Sequence, residues 1–204
     1  MTPFRTLQSI AAPLIRDNVD TDLIIPSREM KSVSKKGLSV GLFANWRYTN
    51  VDARVPNPDF VLNQPQYAGA QILLGGTNFG SGSSREHAVW ALAEFGFRAV
   101  IANSFSPIFR GNCIRNGMLP IVLDPAPFND PKLTLEIDLP AQTITAGGQT
   151  WTFDIDQESK LMLTEGLDPI AVTLLDHPLI DAHEHADQQA RRWAWSALPN
   201  GASA

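Results

Sequence analysis

The fold of this chain is decided by residues 70–102, AQILLGGTNFGSGSSREHAVWALAEFGFRAVIA. Residues 70–76 are mostly apolar and close on two glycines, which predicts a buried strand. From Arg85 onward the apolar side chains recur with helical spacing, and Gly96 is the expected stop of that helix. Residues 98–102 predict the next strand. A strand, a helix and a strand in this order indicate parallel strands joined by a right-handed crossover.

The same alternation continues toward the C-terminus. Residues 106–117 predict a second helix, because Pro107 is tolerated in a first turn, and residues 119–123 predict a third strand. After Asp124, the segments KLTLEIDL, TITA and WTFDI indicate a small antiparallel meander, since apolar residues in the first two alternate with a period of two. On the N-terminal side, residues 31–66 contain three prolines and are expected to be irregular.

The predicted fold class is therefore α/β: a single domain with a mostly parallel sheet, a small antiparallel meander and a helical C-terminal extension. We expect residues 1–125 to form the α/β core and residues 126–204 to form the meander and the helical extension of the same domain. Residues 158–195 are expected to be mostly helical, with breaks near Pro169 and Pro178.

Composition and charge argue against several classes of protein. The formal net charge of −5 disfavours nucleic-acid binding, which normally uses a basic surface. No apolar run reaches the roughly 18 residues of a membrane helix, and residues 1–10 lack the basic head and apolar block of a secretion signal. The single cysteine, Cys113, allows neither an internal disulfide nor a four-thiolate cluster. We expect a cytoplasmic protein that binds neither nucleic acid nor membrane.

The glycine-rich turn NFGSGSSREHAVWAL, residues 78–92, matches none of the common phosphate or nucleophile motifs. A phosphate loop would carry a lysine where this chain has Ser81, and a dinucleotide fingerprint would carry a third glycine where it has Arg85. The Gly-x-Ser-x-Gly elbow of hydrolases does not occur here. Two other interpretations of this turn remain.

The first interpretation is a capping box, with Ser83 as the N-cap of the predicted helix and Glu86 as its N3 residue. The second is a carboxylate site, because free N–H groups at a helix start attract anions and Arg85 offers a planar fork for bidentate binding. In that site Ser83 could act as a base, but an unactivated serine is a poor base and needs help from outside the motif. The local pattern allows both interpretations.

Four further segments form a pattern with this turn: DNVDTDLIIP at residues 17–26, GLFANWRY at 41–48, NPDFVLN at 57–63 and GNCIRNG at 111–117. Together they closely resemble the 3-isopropylmalate dehydratase small subunits, the swivelling-domain chains of the aconitase superfamily. The resemblance runs in order from about Ile10 to Leu175 and covers most of the chain. It implies a swivelling-type β/β/α domain.

The resemblance also implies an activity. This family isomerises 2-isopropylmalate to 3-isopropylmalate through the unsaturated diacid, in leucine biosynthesis. Its iron–sulfur cluster (4Fe–4S) belongs to a separate large subunit, so no cofactor or metal is expected in this chain. The expected partners are that cluster-bearing large subunit and a small hydroxy-dicarboxylate substrate.

Site residues follow from the same resemblance. Ser83 matches the proton-abstracting serine of the family, and Arg85 matches the catalytic, carboxylate-binding arginine. The other residues expected to bind substrate or to border it are Ser84, Asp20, Thr21, Asp22 and Arg28. Two metal sites are disfavoured: Asp20–Asp22 lacks the later ligands of a calcium loop, and the histidines of His183–His185 would not face each other on a helix.

Other functions stay open at this point. A related hydratase would act on maleate, citraconate, methylmalate or a tricarboxylate, and a non-catalytic module would only bind a carboxylate. Glu29 and Lys31 raise the question, because they stand where leucine-pathway relatives often carry aromatic or apolar residues. Burying an unpaired carboxylate is costly. We therefore expect either that Glu29 points to solvent or that the substrate is smaller or more polar.

Overall fold

A computed structural model of the protein describes residues 1–30 and 34–195. The chain divides into two compact units, Met1–Leu167 and Asp168–Ala204. The predicted boundary between residues 125 and 126 stays a prediction. Lys31, one of the two residues that raised the question of substrate, lies outside the described residues. So does the end of the chain from residue 196.

The first unit is built on a seven-stranded sheet with strand order β6-β5-β4-β1-β7-β8-β9. The parallel half contains β6, β5, β4 and β1, and the antiparallel half runs from β1 through β7, β8 and β9. A separate hairpin pairs β2 with β3. The strands are β1 (Thr6–Pro13), β2 (Tyr48–Asn50), β3 (Val55–Pro56), β4 (Ile72–Gly75), β5 (Ala99–Ala102), β6 (Leu119–Val122), β7 (Thr134–Asp138), β8 (Thr143–Ala146) and β9 (Gln149–Thr152).

The predicted α/β class is confirmed, but the sequence analysis did not predict β1 or the short β2–β3 hairpin. Ala11 to Pro13 pair in parallel with β4, whereas Thr6 to Ile10 pair antiparallel with β7. Only the second half of β1 contains fully buried residues, so TLQSIAAP shows no single apolar period. Because β1 bonds to both halves, the predicted parallel sheet and the predicted meander form one continuous sheet.

The two helices predicted between the parallel strands, α3 and α4, are present with shifted ends. The bounds are α1 (Thr21–Ile24), α2 (Ala44–Arg47), α3 (His87–Phe95), α4 (Pro107–Arg115), α5 (Gln157–Glu165), α6 (Pro169–Thr173) and α7 (His177–Ala190). Helix α3 ends at Gly96, whose φ of +120° is a conformation that other residues rarely adopt. Strands β4 and β5 are buried along their whole length, and the α3 side chains Val89 and Leu92 share one core cluster with Leu73 and Val100.

The stretch before β4 is irregular, as predicted, but it is well packed. It consists of short 3₁₀ turns, α2 and the β2–β3 hairpin. Phe43 and Phe60 are buried, with ring centroids 6.0 Å apart, and Phe43 stacks on Trp46 at 6.0 Å. Apolar aromatic area therefore stabilises a segment that has little regular secondary structure.

The second unit is helical, with breaks at the predicted prolines. Pro169 opens α6, where the Asp168 side chain accepts a hydrogen bond from the Ala171 N–H at 2.7 Å, and Pro178 lies in the first turn of α7. No residue of the described part, 168–195, is buried. None of the helices within residues 1–30 and 34–195 combines the length and the hydrophobicity of a membrane span.

Candidate active site

The predicted site lies where β1, β4 and β5 end. Carboxyl ends of parallel strands meet at one edge of a sheet, which is the usual place for ligands in α/β folds. Beyond the strands, Asp20 pairs with Ser81 and Phe79 pairs with Phe105 in isolated parallel bridges. The Gly80 N–H also donates to the Val19 carbonyl at 2.7 Å. The segment 79–82 is thus held between the segments that follow β1 and β5.

Gly80 lets this loop press against α4. Its φ is +76°, and a Cβ placed there would lie 2.1 Å from the ring of Phe109, which is 1% exposed. No side chain fits that distance, and the buried ring belongs to a cluster with Phe79 and Phe105. A glycine is therefore required where the loop crosses the first turn of α4.

The capping-box interpretation is wrong. Helix α3 begins at His87, its N-cap residue is Glu86, and no side chain caps it. Ser83 lies in the loop before this helix. Its carbonyl accepts a hydrogen bond from the Arg85 N–H at 2.7 Å, and a bond between residues two apart forms a γ-turn, not a turn of helix. Glu86 instead contacts Arg115, with 3.8 Å between the charged atoms.

The side chain of Ser83 faces solvent. Ser83 is exposed, and its hydroxyl makes no hydrogen bond to any residue within 1–30 and 34–195. Its backbone, in contrast, is tied to Thr21: the Ser83 N–H donates to Thr21 Oγ1 at 3.1 Å, and Thr21 Oγ1 donates to the Ser83 carbonyl at 3.2 Å. A free hydroxyl on a fixed backbone suits a group that acts on an external molecule.

Arg85 and Asp22 form an ion pair beside this loop. Arg85 Nη1 lies 2.5 Å from Asp22 Oδ1, and the two side chains are 32% and 54% exposed. Exposed pairs of this kind contribute about 1 kcal/mol or less to stability. The pair uses one nitrogen of the guanidinium, so the rest of its planar fork stays open to a carboxylate.

The remaining predicted residues divide into two groups. Asp20 accepts a hydrogen bond from the Leu23 N–H at 2.7 Å and so caps α1. Thr21 is buried, and its hydroxyl is hydrogen-bonded to the backbone of Ser83. Ser84 is exposed next to Ser83. The contacts of Arg28 go elsewhere, to Asn45 Oδ1 at 2.5 Å and to Glu29 Oε1 at 3.6 Å. The structure therefore brings Asp20, Thr21 and Asp22 to the serine loop but gives Arg28 no contact there.

Glu29 does not point to solvent. Its side chain is 9% exposed, and its Oε2 lies 2.5 Å from Arg54 Nη2. This hydrogen bond to Glu29 is the largest cause of the raised pKa of Arg54. Gly41 allows the approach, because a Cβ there would lie 2.5 Å from Glu29 Cβ. The carboxylate is paired inward, so it gives no reason to expect a smaller or more polar substrate.

Two polar residues that hold the loop were missed in the sequence. Asp17 Oδ1 accepts a hydrogen bond from the Thr77 N–H at 2.6 Å, and Ser104 Oγ accepts one from the Asn78 N–H at 2.8 Å. Each follows the carboxyl end of a parallel strand, next to the end of β4. Polar residues after predicted parallel strands were the signal that could have identified them.

An iron–sulfur cluster does not fit the residues of this chain. Its only cysteine, Cys113, is 0% exposed, and burial raises the pKa of its thiol, which disfavours the thiolate that ligates iron. No group of three or more His, Cys, Asp or Glu side chains in residues 1–30 and 34–195 could hold a metal ion.

Comparisons with known proteins agree over nearly the whole chain. A model of the aconitase C-terminal domain family matches residues 1–126, and a LeuD_N model matches residues 128–157. The 3-isopropylmalate dehydratase small subunit of Cupriavidus necator is 51% identical over 203 residues, covering 95% of this chain and 98% of that protein. The corresponding protein of Teredinibacter turnerae is 46% identical over 213 residues, covering 97% and 99%.

A solved structure gives the same result. The crystal structure of 3-isopropylmalate dehydratase from Methanocaldococcus jannaschii superposes with a TM-score of 0.66 at 27% sequence identity, covering 88% of this chain and 99% of that chain. The chain therefore belongs to the aconitase C-terminal domain family and, within it, to the 3-isopropylmalate dehydratase small subunits, which are hydro-lyase subunits that work with a large subunit.

Proposed function

We propose that this chain is the small subunit of a cytoplasmic hydro-lyase that isomerises 2-isopropylmalate to 3-isopropylmalate through the unsaturated diacid, in leucine biosynthesis. The observation that carries the proposal is the Ser83 side chain, which is exposed on an anchored loop with a hydroxyl free of hydrogen bonds to residues 1–30 and 34–195. A group in this state can reach a substrate that a partner subunit presents.

In the proposed reaction Ser83 Oγ, as the alkoxide, removes a proton from the carbon next to a substrate carboxylate. The electrons of the C–H bond form the double bond while hydroxide leaves the neighbouring carbon, and Ser83 keeps the proton as a hydroxyl. Rehydration reverses these movements at exchanged positions: hydroxide adds to the carbon that lost the proton, and the Ser83 hydroxyl gives its proton to the carbon that lost hydroxide. A positioned acid–base group contributes about 10²- to 10⁴-fold to such a step.

Arg85 is proposed to bind a substrate carboxylate. Its exposed pair with Asp22 is weak, so a dicarboxylate can take the open side of the guanidinium or replace Asp22. A bidentate arginine–carboxylate pair also fixes the orientation of the substrate.

The iron–sulfur cluster is proposed to belong to the large subunit, because the residues of this chain do not fit it. When bound, such a cluster supplies a Lewis acid for the departing hydroxide. The small subunit contributes the base and the carboxylate-binding arginine.

Two alternatives are weaker. A hydratase for smaller diacids or a tricarboxylate was suggested by Glu29, but this carboxylate is paired with Arg54. A non-catalytic carboxylate module would need Arg85 but would have no use for a free serine hydroxyl beside it.

The decisive experiment reconstitutes the chain with its large subunit and measures turnover of isopropylmalates, maleate, citraconate and methylmalate. We expect activity on the isopropylmalates to exceed that on the other diacids, and we expect the isolated chain to be inactive. Preferred turnover of a smaller diacid would overturn the substrate assignment, and turnover by the isolated chain would overturn the division of roles.

Ser83→Ala tests the catalytic assignment. We expect kcat to fall by about 10²- to 10⁴-fold, with a melting temperature close to that of the unmodified chain, because the hydroxyl makes no hydrogen bond within the described residues. Ser84→Ala is the matched control, since it removes the same group from the next exposed residue, and it should cost less. Normal turnover of Ser83→Ala in the assembled enzyme would show that Ser83 is not the base.

A further inference from the structure

Thr21 is almost completely buried, yet its hydroxyl bonds to only one other residue. It is 2% exposed, and both hydrogen bonds of its side chain within the described residues go to the backbone of Ser83, at 3.1 Å and 3.2 Å. A hydroxyl can donate and accept at the same time. One side chain thus fixes the N–H and the carbonyl of a residue 62 positions away.

The backbone of Thr21 also holds this loop in place. The Thr21 N–H donates to the Ser81 carbonyl at 2.8 Å, so the residues on both sides of Gly82 are bonded to Thr21. Gly82 has a φ of +95°, and a Cβ there would lie 3.2 Å from Thr21 Oγ1. The glycine therefore allows the close approach on which both hydroxyl bonds depend.

We infer that Thr21 is a positioning residue for Ser83, a role that rests on the proposed function of Ser83 as the base. Nothing in the described chain orients the Ser83 hydroxyl directly, so its direction depends on the backbone that carries it. The Thr21 hydroxyl bonds to both the N–H and the carbonyl of that backbone. An error of about 1 Å in the position of a reacting group can cost about 10²-fold in rate. Thr21 contacts Ser83 and not the substrate.

The test uses the enzyme assembled with its large subunit. Thr21→Val removes the hydroxyl and keeps the shape, and we expect kcat to fall by about 10- to 10²-fold with little change in KM. Thr21→Ser keeps the hydroxyl and should restore most of kcat. In the Ser83→Ala background, Thr21→Val should cause no further loss, because Thr21 acts through Ser83.

Thr164→Val is the matched control. The Thr164 hydroxyl is also buried, but it has no hydrogen-bond partner within the part of the chain that the structure describes. The same chemical change there should leave kcat unchanged. A loss at Thr164 equal to that at Thr21 would mean that any buried threonine has this effect, and it would overturn the inference.

The remaining outcomes separate the two proposals. Normal turnover of Ser83→Ala would reject the base role itself, and with it the role of Thr21. An inactive Ser83→Ala with a fully active Thr21→Val would reject the role of Thr21 alone, as would failure of Thr21→Ser to restore activity. If Thr21→Val does not fold, Thr21→Ala carries the same expectation. If neither variant assembles, Thr21 is a stability residue and the inference is wrong.

Discussion

At the residue scale, burial separates residue types that look equivalent in the sequence. Thr21 and Asp22 are neighbours, but Thr21 is buried against the Ser83 backbone while Asp22 is exposed and paired with Arg85. Glu29 was expected either to point to solvent or to indicate a smaller or more polar substrate, but its side chain is 9% exposed and paired with Arg54. A side chain can act on substrate only if it is accessible, so these contacts assign different roles to adjacent positions.

Arg85→Lys keeps the charge but loses the planar fork. We expect KM to rise by about 10-fold or more, because a hydrogen bond to a charged group is worth about 1.5–3 kcal/mol, with a smaller effect on kcat. Steady-state kinetics of the assembled enzyme measure both. Arg5→Lys makes the same change in another exposed ion pair, with Glu165, and should leave KM unaltered. An unchanged KM for Arg85→Lys would mean that Arg85 does not bind the substrate carboxylate.

Glu29→Gln is expected to lower the free energy of unfolding by about 2 kcal/mol, because it removes a charged hydrogen-bond partner from Arg54. Urea unfolding measures this change. The ratio of activities on isopropylmalate and on smaller diacids should stay the same, since the carboxylate is turned inward. A changed ratio with unchanged stability would restore the view that Glu29 selects the substrate.

At the element scale, helix α3 anchors the loop 37–39, which lies far from it in the sequence. The Glu94 carboxylate accepts hydrogen bonds from the N–H groups of Gly37 at 2.6 Å and Ser39 at 2.7 Å. Desolvation acts to raise the pKa of Glu94, but these backbone hydrogen bonds outweigh it and lower the pKa below its ordinary value of 4.5. The loop 37–39 is therefore fixed by a charge near the C-terminal end of the helix.

This shift predicts a pH dependence. Because the folded-state pKa is lowered, Glu94 stabilises the fold fully above its ordinary value of 4.5, and that contribution is lost as pH falls through the lower, folded-state value. Glu94→Gln should be less stable than the unmodified chain at pH 7, and the gap should narrow in acid. Urea unfolding at several pH values tests this.

Glu158→Gln is the control for the pH experiment. It removes one exposed carboxylate that makes no hydrogen bond or ion pair within the described chain. A gap between Glu94→Gln and the unmodified chain that stays constant down to acid pH would contradict the prediction.

At the scale of the whole molecule, the core belongs to one unit. All buried hydrophobic residues among those described lie within Met1–Leu167, and no described residue of 168–195 is buried. A chain that ends at Leu167 is therefore expected to fold with a melting temperature within a few degrees of the full chain. Thermal unfolding followed by circular dichroism tests this, and a truncated chain without a cooperative transition would show that the second unit is needed for folding.

The sequence by itself determined the local elements and the chemistry available to them. Short apolar runs located β4 and β5, the first of them closed by two glycines, a helical stripe ending at Gly96 located α3, and the motif around Ser83 identified the family. These features depend on neighbours in the chain, where periodicity and turn chemistry act directly. The single cysteine likewise excluded a cluster held by this chain alone.

Only the tertiary structure decided which residues meet. Strand β1 has no clear period because its two halves pair with different partners. Helix α3 begins at His87 rather than Arg85, after a loop in which the Ser83 backbone bonds to the distant Thr21. The pairing of Glu29 with Arg54 joins positions 25 residues apart. Such contacts follow from long-range packing and the burial of polar groups, which local sequence patterns do not encode.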